Sequence, residues 1–281
     1  MSSTITSDRD AGGLPGIAVA MNSVAIAFGD LTVLHDVDFR VEPGEFVCLL
    51  GPSGCGKSTL LAAIAGFVEL SAGEVVCNDE PVKGINRHAG VVFQSSEALF
   101  EWLTAEQNVA YGPRMHGRGK LESRRVAADF LAKVGLTPAA KKYPRELSGG
   151  MKQRVQIARV LANEPRLVLM DEPFGALDAQ TRHVLQEELV RLWQRTGCSI
   201  VFVTHDIDES VILADRIVVM TAGPSARIKS VYRVDAARPR SRQDVADLYD
   251  RIQEDIRVEV AQSLLNQGLE IDAGVTGGEA R

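Results

Sequence analysis

A glycine-rich segment of eight residues constrains the fold of this chain more than any other feature. Residues 51–58 read Gly-Pro-Ser-Gly-Cys-Gly-Lys-Ser, and the apolar run Phe46–Leu50 comes directly before them. In this pattern the glycines let successive backbone N–H groups turn inward, and the helix that follows points its first turn at the same place. The segment therefore predicts a strand at 46–50, a helix from about Lys57 to Gly66, and an α/β fold around both.

The same segment predicts a site for the phosphate groups of a nucleotide. Inward N–H groups and the positive end of a helix both stabilise phosphate oxygens. Lys57 would reach the β and γ phosphates, and Ser58 would place its hydroxyl on Mg²⁺. The candidate ATP-binding residues of this segment are Gly51, Pro52, Ser53, Gly54, Cys55, Gly56, Lys57, Ser58 and Thr59. The alternative, a glycine-rich turn with chance residues, does not account for the strand and the helix that flank it.

Two adjacent carboxylates follow a second apolar run. Leu167–Met170 predicts a short buried strand, and Asp171 and Glu172 come at its end. Asp171 is the candidate magnesium ligand, directly or through water. Glu172 is the candidate general base, which would orient and polarise an attacking water. An exposed turn after a strand is the alternative interpretation, and the presence of segment 51–58 weakens it.

The remaining pattern predicts a layered fold. After Glu172, helical and strand patterns alternate, which is typical of a largely parallel sheet flanked by helices. Alternation of apolar and polar residues over 17–47 predicts short antiparallel strands. Helical periodicity around 121–134, together with several helix-breaking residues, predicts a mostly helical insertion over 95–146. An amphipathic helix is predicted over 241–266, and ordinary packing on the surface is favoured for its apolar residues, Val245, Leu248, Ile252, Ile256 and Val260.

Composition weakens several other classes of function. The chain has 281 residues, a formal net charge of −6 and 5% aromatic residues, a balance that argues against nucleic acid as the main partner. No apolar run approaches the roughly 18 residues of a membrane span, and the N-terminus lacks the features of a secretion signal. We therefore expect a cytoplasmic protein that works at a membrane only through a partner. The four cysteines show no pairing pattern and predict buried thiols.

A third motif reads Leu147-Ser-Gly-Gly-Met151. Ser148 alone could be the N-cap of a helix. Two glycines directly after it are poor capping chemistry, however, and they expose backbone donors at a helix start. That arrangement suits phosphate binding.

The order of these segments resembles the ATP-binding subunit of an ATP-binding-cassette (ABC) transporter. The resemblance covers about residues 17–235, and its elements in order are 51–58, Gln94, 147–151, Asp171-Glu172, 176–178 and His205. It implies an α/β fold with a P-loop (RecA-like) core, a largely parallel sheet, an N-terminal antiparallel β subdomain and a helical subdomain at about 95–165. We expect a disordered tail at 1–16, the cassette at 17–240, and a C-terminal helix with a loose tail at 241–281.

The resemblance also implies individual roles. Gln94 would sense Mg²⁺ and water, His205 would hydrogen-bond the γ phosphate, and Asp178 would communicate across a dimer. Phe28 resembles the aromatic residue that stacks on adenine, which is favoured over core packing. Two copies would enclose two ATP molecules head to tail, and each copy would complete the other's site with Ser148, Gly149 and Gly150.

Finer features resemble the importer branch for nitrate, sulfonates, taurine and related small anions. They are Met151, the segments 170–182 and 204–210, and Arg238-Pro239-Arg240 before the final helix. The implied partners are a second copy, an integral membrane permease and, indirectly, a periplasmic or extracellular solute-binding protein. No nucleic acid partner is expected. The chain would lie on the cytoplasmic face of the cell membrane.

Two positions depart from that branch. Glu101 stands where the branch usually has proline, and segment 222–227 lacks the usual Arg-Pro-Gly turn. Both are expected to lie outside the nucleotide site. The alternatives are an ABC ATPase of another import or export branch, a soluble ABC-type ATPase acting on nucleic acids or ribosomes, and a phosphate-loop kinase or GTPase.

Overall fold

The computed structural model describes residues 18–94, 98–175 and 177–267, and ten strands and seven α-helices lie in these ranges. The strands are β1 (Val19–Phe28), β2 (Leu31–Val41), β3 (Phe46–Leu50), β4 (Ala72–Cys77), β5 (Glu80–Pro81), β6 (Ala89–Val92), β7 (Leu167–Asp171), β8 (Ser199–Val203), β9 (Arg216–Met220) and β10 (Ile228–Arg233). The α-helices are α1 (Lys57–Ile64), α2 (Ala105–Met115), α3 (Lys120–Lys133), α4 (Gly149–Leu161), α5 (Ala179–Thr196), α6 (Ile207–Leu213) and α7 (Ala246–Asn266). The tails predicted at 1–16 and after residue 271 lie outside the described residues.

A six-stranded sheet forms the centre of the fold. Its order is β10-β9-β3-β8-β7-β6, and all neighbours are parallel except the edge pair β10 and β9. β3 and β8 are buried at every position. Strands that are buried on both faces consist of continuous apolar runs, as these do. The predicted largely parallel sheet is confirmed.

A second, antiparallel sheet covers one face of the first. Its order is β2-β1-β4-β5. Helix α1 packs between the two sheets, and one buried apolar cluster joins Ile26 of β1, Leu60 of α1 and Val201 of β8. Since α1 directly follows segment 51–58, this layer fixes where the glycine-rich loop lies. The predicted N-terminal antiparallel sheet is confirmed.

Three helices, α2, α3 and α4, follow one another within residues 105–161 and pack against each other. The helical periodicity predicted around 121–134 corresponds to α3. Helix α2 begins with a complete capping box between Thr104 and Gln107, which satisfies two backbone donors at its start. The mostly helical character predicted for this part of the chain is confirmed.

The C-terminal helix α7 is longer than its apolar stripe. Ile252 is buried, as is Val245 directly before the helix, and Leu248 and Ile256 pack against the core. Val260, the last member of the stripe, is 39% exposed. The last turns of α7 must therefore be held by contacts other than apolar burial.

The cysteines are free thiols. All four are buried, and burial raises the pKa of Cys48 well above its usual value. They therefore pack as small apolar side chains, as predicted. In the described ranges, no helix is long and apolar enough to cross a membrane.

Candidate nucleotide-hydrolysis site

The glycine-rich loop runs between the end of β3 and the start of α1. Gly56 has a φ of +96° and forms the N-cap of α1. A β-carbon there would lie 2.7 Å from Leu34 Cδ2 and 3.1 Å from Val33 Cγ1, so β2 packs directly on the loop. This backbone conformation strongly favours glycine, and a side chain here would also push against Leu34 and Val33. Gly56 makes no side-chain cap, so the N–H groups of the first turn of α1 are left for a ligand.

Lys57 lies inside the loop. It is 6% exposed, and its Nζ donates to the carbonyl oxygens of Gly51 and Pro52 at 2.8 Å each. No carboxylate among the described residues lies at hydrogen-bonding distance from this buried ammonium group, which suits it to an anionic ligand. The loop therefore holds its positive charge where phosphates are expected.

Asp171 ends β7 with a carboxylate oxygen that lacks a partner. Its Oδ1 is buried and accepts no hydrogen bond from any residue in the described part of the chain. Burial raises the pKa of Asp171, while a hydrogen bond with Ser58 and the charge of Lys57 act in the opposite direction. An unpartnered buried carboxylate oxygen close to a serine hydroxyl is the oxygen donor set that Mg²⁺ prefers, so these residues fit that ion.

Glu172 is the meeting point of three predicted residues. Its Oε2 accepts a hydrogen bond from Gln94 Nε2 at 3.2 Å, and its Oε1 lies 3.2 Å from His205 Nδ1. Glu172 has a φ of +42°, and its N–H donates to Val203 O at 3.0 Å. A left-handed backbone is unfavourable for glutamate and occurs mainly where the surroundings demand it, often at functional sites. The structure thus brings together Gln94, Glu172 and His205 from three separate parts of the chain.

A buried carboxylate that the sequence interpretation missed supports the His205 loop. Glu209 accepts a hydrogen bond from Thr204 Oγ1 at 2.7 Å, and Arg182 approaches it to 3.7 Å. Burial raises the pKa of Glu209. Asp206 caps α6 through Glu209 N, so the spacing Asp-x-x-Glu was a local signal for this turn.

The residues predicted for a dimer contact occupy helix starts. The Ser148 hydroxyl accepts from Met151 N at 3.3 Å and caps α4, while Asp178 accepts from Thr181 N at 2.9 Å and caps α5. Hydrogen bonds from Thr181 lower the pKa of Asp178. Ser148, Gly149 and Asp178 are exposed. The capping role considered for Ser148 is thus present, and its glycines remain open to a ligand from outside.

Phe28 ends β1 and is 54% exposed. A core-packing role does not describe a side chain with that exposure. An exposed ring at the end of a strand is available for stacking on a planar base.

One expectation about the site is wrong. Segment 222–227 was expected to lie outside the nucleotide site, yet a β-carbon at Gly223 would lie 3.3 Å from Gly54 O and 3.8 Å from Cys55 Cα. The segment connects β9 to β10, and β9 lies beside β3 in the sheet. Because parallel strands end at the same edge, this connection passes directly over the glycine-rich loop.

A glycine-rich loop with an enclosed lysine, together with an aspartate and a glutamate at the end of another parallel strand, defines a phosphate-loop nucleoside triphosphatase. The family model described as ABC transporter matches residues 34–175. The chain belongs to the ABC transporter family and is an ATP-binding, ATP-hydrolysing subunit of that family.

Relatives agree with this assignment. The chain is 47% identical over 221 residues to the nitrate import ATP-binding protein NrtC of Synechococcus elongatus, covering 78% of this chain and 33% of that protein. It spans only about a third of that relative's length. It is also 46% identical over 231 residues to the bicarbonate transport ATP-binding protein CmpD of Synechocystis sp., covering 82% of this chain and 79% of that protein.

Solved structures show the same fold. The dimeric post-hydrolysis state of the ATP-binding cassette MJ0796 bound to ADP and Pi superposes with a TM-score of 0.70 and 31% identity, covering 78% of this chain and all of that one. The structure of cbiO1 from Clostridium perfringens, part of the ABC transporter complex cbiONQ, gives 0.71 and 25% identity, covering 89% and 99%.

Proposed function

We propose that this chain supplies the ATPase activity of an importer for a small anion such as nitrate, bicarbonate, a sulfonate or taurine. Two copies would work together on the cytoplasmic face of a membrane permease, and a solute-binding protein would deliver the anion from outside. The observation that carries the hydrolytic role is Glu172 held between Gln94 and His205. Asp171, whose Oδ1 is buried, directly precedes Glu172 in the chain.

Nucleotide binding follows from the glycine-rich loop. The N–H groups of 51–56 and the open first turn of α1 would hold the β and γ phosphates, and Lys57 would move from its two carbonyl contacts to the phosphate oxygens. Phe28 would stack on the adenine. Ser58 and Asp171 would hold Mg²⁺, which neutralises charge on the phosphates when it is bound.

Hydrolysis follows from the cluster around Glu172. Its carboxylate would accept the proton of the water that attacks the γ phosphorus, so that ADP and phosphate are released. Gln94 would orient that water together with Glu172. His205, whose side chain is 64% exposed, would turn from Glu172 to the γ phosphate. The left-handed backbone at Glu172 aims its carboxylate between these two partners.

A second copy would complete each site. The start of α4 is exposed, and Gly149 has no atom near the position that a β-carbon would take. The backbone N–H groups at the start of α4 would bind the γ phosphate of the ATP held by the partner copy. Loss of that phosphate would remove contacts from both copies and let the pair open, which is the motion a permease would use.

An exposed aromatic surface on the helical part is the proposed permease contact. Trp102 is 73% exposed, and its ring lies 5.3 Å from that of Phe100, which also packs against Tyr111. Met115, at the end of α2, is 64% exposed. Aromatic residues and methionine are enriched in protein interfaces. A short apolar helix of the permease would fit here.

Uptake measurements test the proposal. In cells that lack this chain, uptake of one labelled anion among nitrate, bicarbonate and taurine should fall, and the wild-type chain should restore it. Glu172→Gln should be made in equal amount but should not restore uptake, while Glu187→Gln on the exposed face of α5 should do so. Wild-type uptake of all three anions without the chain, together with ATPase stimulation by ribosomes or RNA, would instead favour the soluble alternative.

A further inference from the structure

Segment 221–227, which connects β9 to β10, forms one wall of the nucleotide site. Its Gly223 approaches Gly54 so closely that a β-carbon would lie 3.3 Å from the carbonyl oxygen of Gly54. At the start of the loop, a β-carbon on Gly51 would lie 3.2 Å from Met220 O, at the end of β9. The end of β9 and the segment after it therefore support the first half of the glycine-rich loop.

The same segment is hydrogen-bonded to β2, which supports the second half of the loop. Ser225 N donates to Thr32 O at 2.8 Å, and Ala226 N donates to Val33 O at 3.0 Å. Val33 is one of the two residues that pack on Gly56. A shift of the segment would consequently reach both ends of the loop that holds the phosphates.

Helix α7 holds this segment by polar contacts from its last turns. Glu259 Oε2 accepts a hydrogen bond from Ala222 N at 2.7 Å, and Asn266 Nδ2 donates to Gly223 O at 2.6 Å. Glu259 is 8% exposed although it is charged, and its Oε1 pairs with Lys229 Nζ at 2.9 Å. Buried carboxylates are rare unless they are paired. The carboxylate of Glu259 contacts one backbone N–H of segment 221–227, that of Ala222, and the ammonium group of Lys229 on β10.

We propose that Glu259 is a positioning residue for ATP binding. By fixing Ala222 it holds Gly223 against Gly54, so the inward N–H groups of the loop keep the spacing that phosphate binding needs. The C-terminal helix is therefore part of the nucleotide site's support, although no residue of α7 is proposed to touch ATP. Displacement of its last turns lowers nucleotide affinity more than it lowers turnover.

The contact chemistry predicts a split between KM and kcat. Interactions that act on bound substrate and transition state alike change KM and leave kcat in place. Segment 221–227 supports the glycine-rich loop, and that loop binds the phosphates both in the bound substrate and in the transition state. The Gln94–Glu172–His205 cluster lies just after the ends of β6, β7 and β8, away from segment 221–227 in the sequence, and is expected to keep its contacts.

The experiment compares two substitutions of Glu259 in the full chain. Glu259→Leu removes the acceptor for Ala222 N and should raise both the Kd for ATP and KM by about tenfold, with kcat within about twofold of wild type. Glu259→Gln keeps an oxygen that accepts this N–H and should stay within about threefold of wild type in KM. Glu254→Leu is the control, since Glu254 pairs with Arg257 at the surface of the same helix.

A lower melting temperature of Glu259→Leu with wild-type KM and Kd would overturn the proposal, because Glu259 would then serve folding alone. Failure of Glu259→Gln to rescue KM would overturn the hydrogen-bond account as well. If Glu259→Leu does not fold, Asn266→Ala and Gly223→Ala carry the test. Both should raise KM at near-normal kcat, and wild-type KM in both would refute the role of this wall.

Discussion

Replacing Glu172 with glutamine should stop ATP turnover and leave nucleotide binding intact. The carboxylate is held by Gln94 Nε2 at 3.2 Å and lies 3.2 Å from His205 Nδ1. A glutamine has the same size and still offers an oxygen to Gln94, but its amide does not accept a proton from water. The substitution therefore removes the base and little else.

The magnitude follows from the role. Loss of a positioned general base lowers the rate of the chemical step by about 10²- to 10⁴-fold, which corresponds to roughly 3–5 kcal/mol of barrier. At a φ of +42°, the left-handed backbone conformation is as unfavourable for glutamine as it is for glutamate. The free energy of unfolding should consequently stay within about 0.5 kcal/mol of wild type.

Single-turnover hydrolysis of MgATP and equilibrium binding of ATP measure the two effects separately. Binding should remain within about threefold of wild type, and size-exclusion chromatography should show an ATP-dependent dimer that persists. Glu187→Gln on α5 is the matched control, since that side chain is 52% exposed. If Glu172→Gln kept more than about a tenth of the wild-type rate, the general base would have to be a different residue.

Four further substitutions test the other parts of the site. Lys57→Ala should weaken ATP binding at least about 100-fold in a direct binding assay, because it removes the buried ammonium group from the loop; near-normal binding would contradict its role. Phe28→Ala should weaken binding by an amount on the order of 1 kcal/mol in the same assay, and an unchanged affinity would remove the stacking role. Ser148→Arg should abolish the ATP-dependent dimer on size-exclusion chromatography while each monomer still binds ATP, and loss of monomer binding would count against a contribution to the partner's site. Asp171→Asn should abolish turnover yet raise the melting temperature of the nucleotide-free chain near neutral pH. Burial raises the pKa of Asp171 in the folded protein, so the ionised carboxylate destabilises the wild-type fold above that pKa, and protonation at lower pH removes this cost. Thermal melts should show this advantage shrinking as the pH falls toward about 4, and an advantage independent of pH would contradict the account.

The strands around the chemistry were predictable because their signals are local. The apolar run Phe46–Leu50 became β3 with the same bounds, and the carboxylate pair stands where β7 ends. The helix after the loop was expected to reach Gly66 and ends at Ile64. Such runs are recognised from neighbouring residues alone.

The edge strand β10 was not predictable in the same way. β10 contains Lys229, Ser230 and Arg233, and only its pairing with β9 makes it a strand. Its residues are half-buried or exposed, so no apolar alternation marks it. Strand preference depends on neighbours across the sheet more than on the residue itself.

The sequence by itself determined the candidate chemistry of this protein: a phosphate loop, a candidate magnesium ligand at Asp171 and a candidate base at Glu172, each identified from residues adjacent in the chain. Only the tertiary structure decided which distant residues meet. It brings Gln94 into hydrogen-bonding contact with Glu172, 78 positions later in the chain. It also packs α7 against segment 221–227, where Glu259 accepts a hydrogen bond from Ala222 N next to Gly223, the residue that approaches Gly54. The physical reason is that a loop's conformation depends on its own glycines, whereas contacts between distant segments depend on strand order and on how helices pack over the sheet.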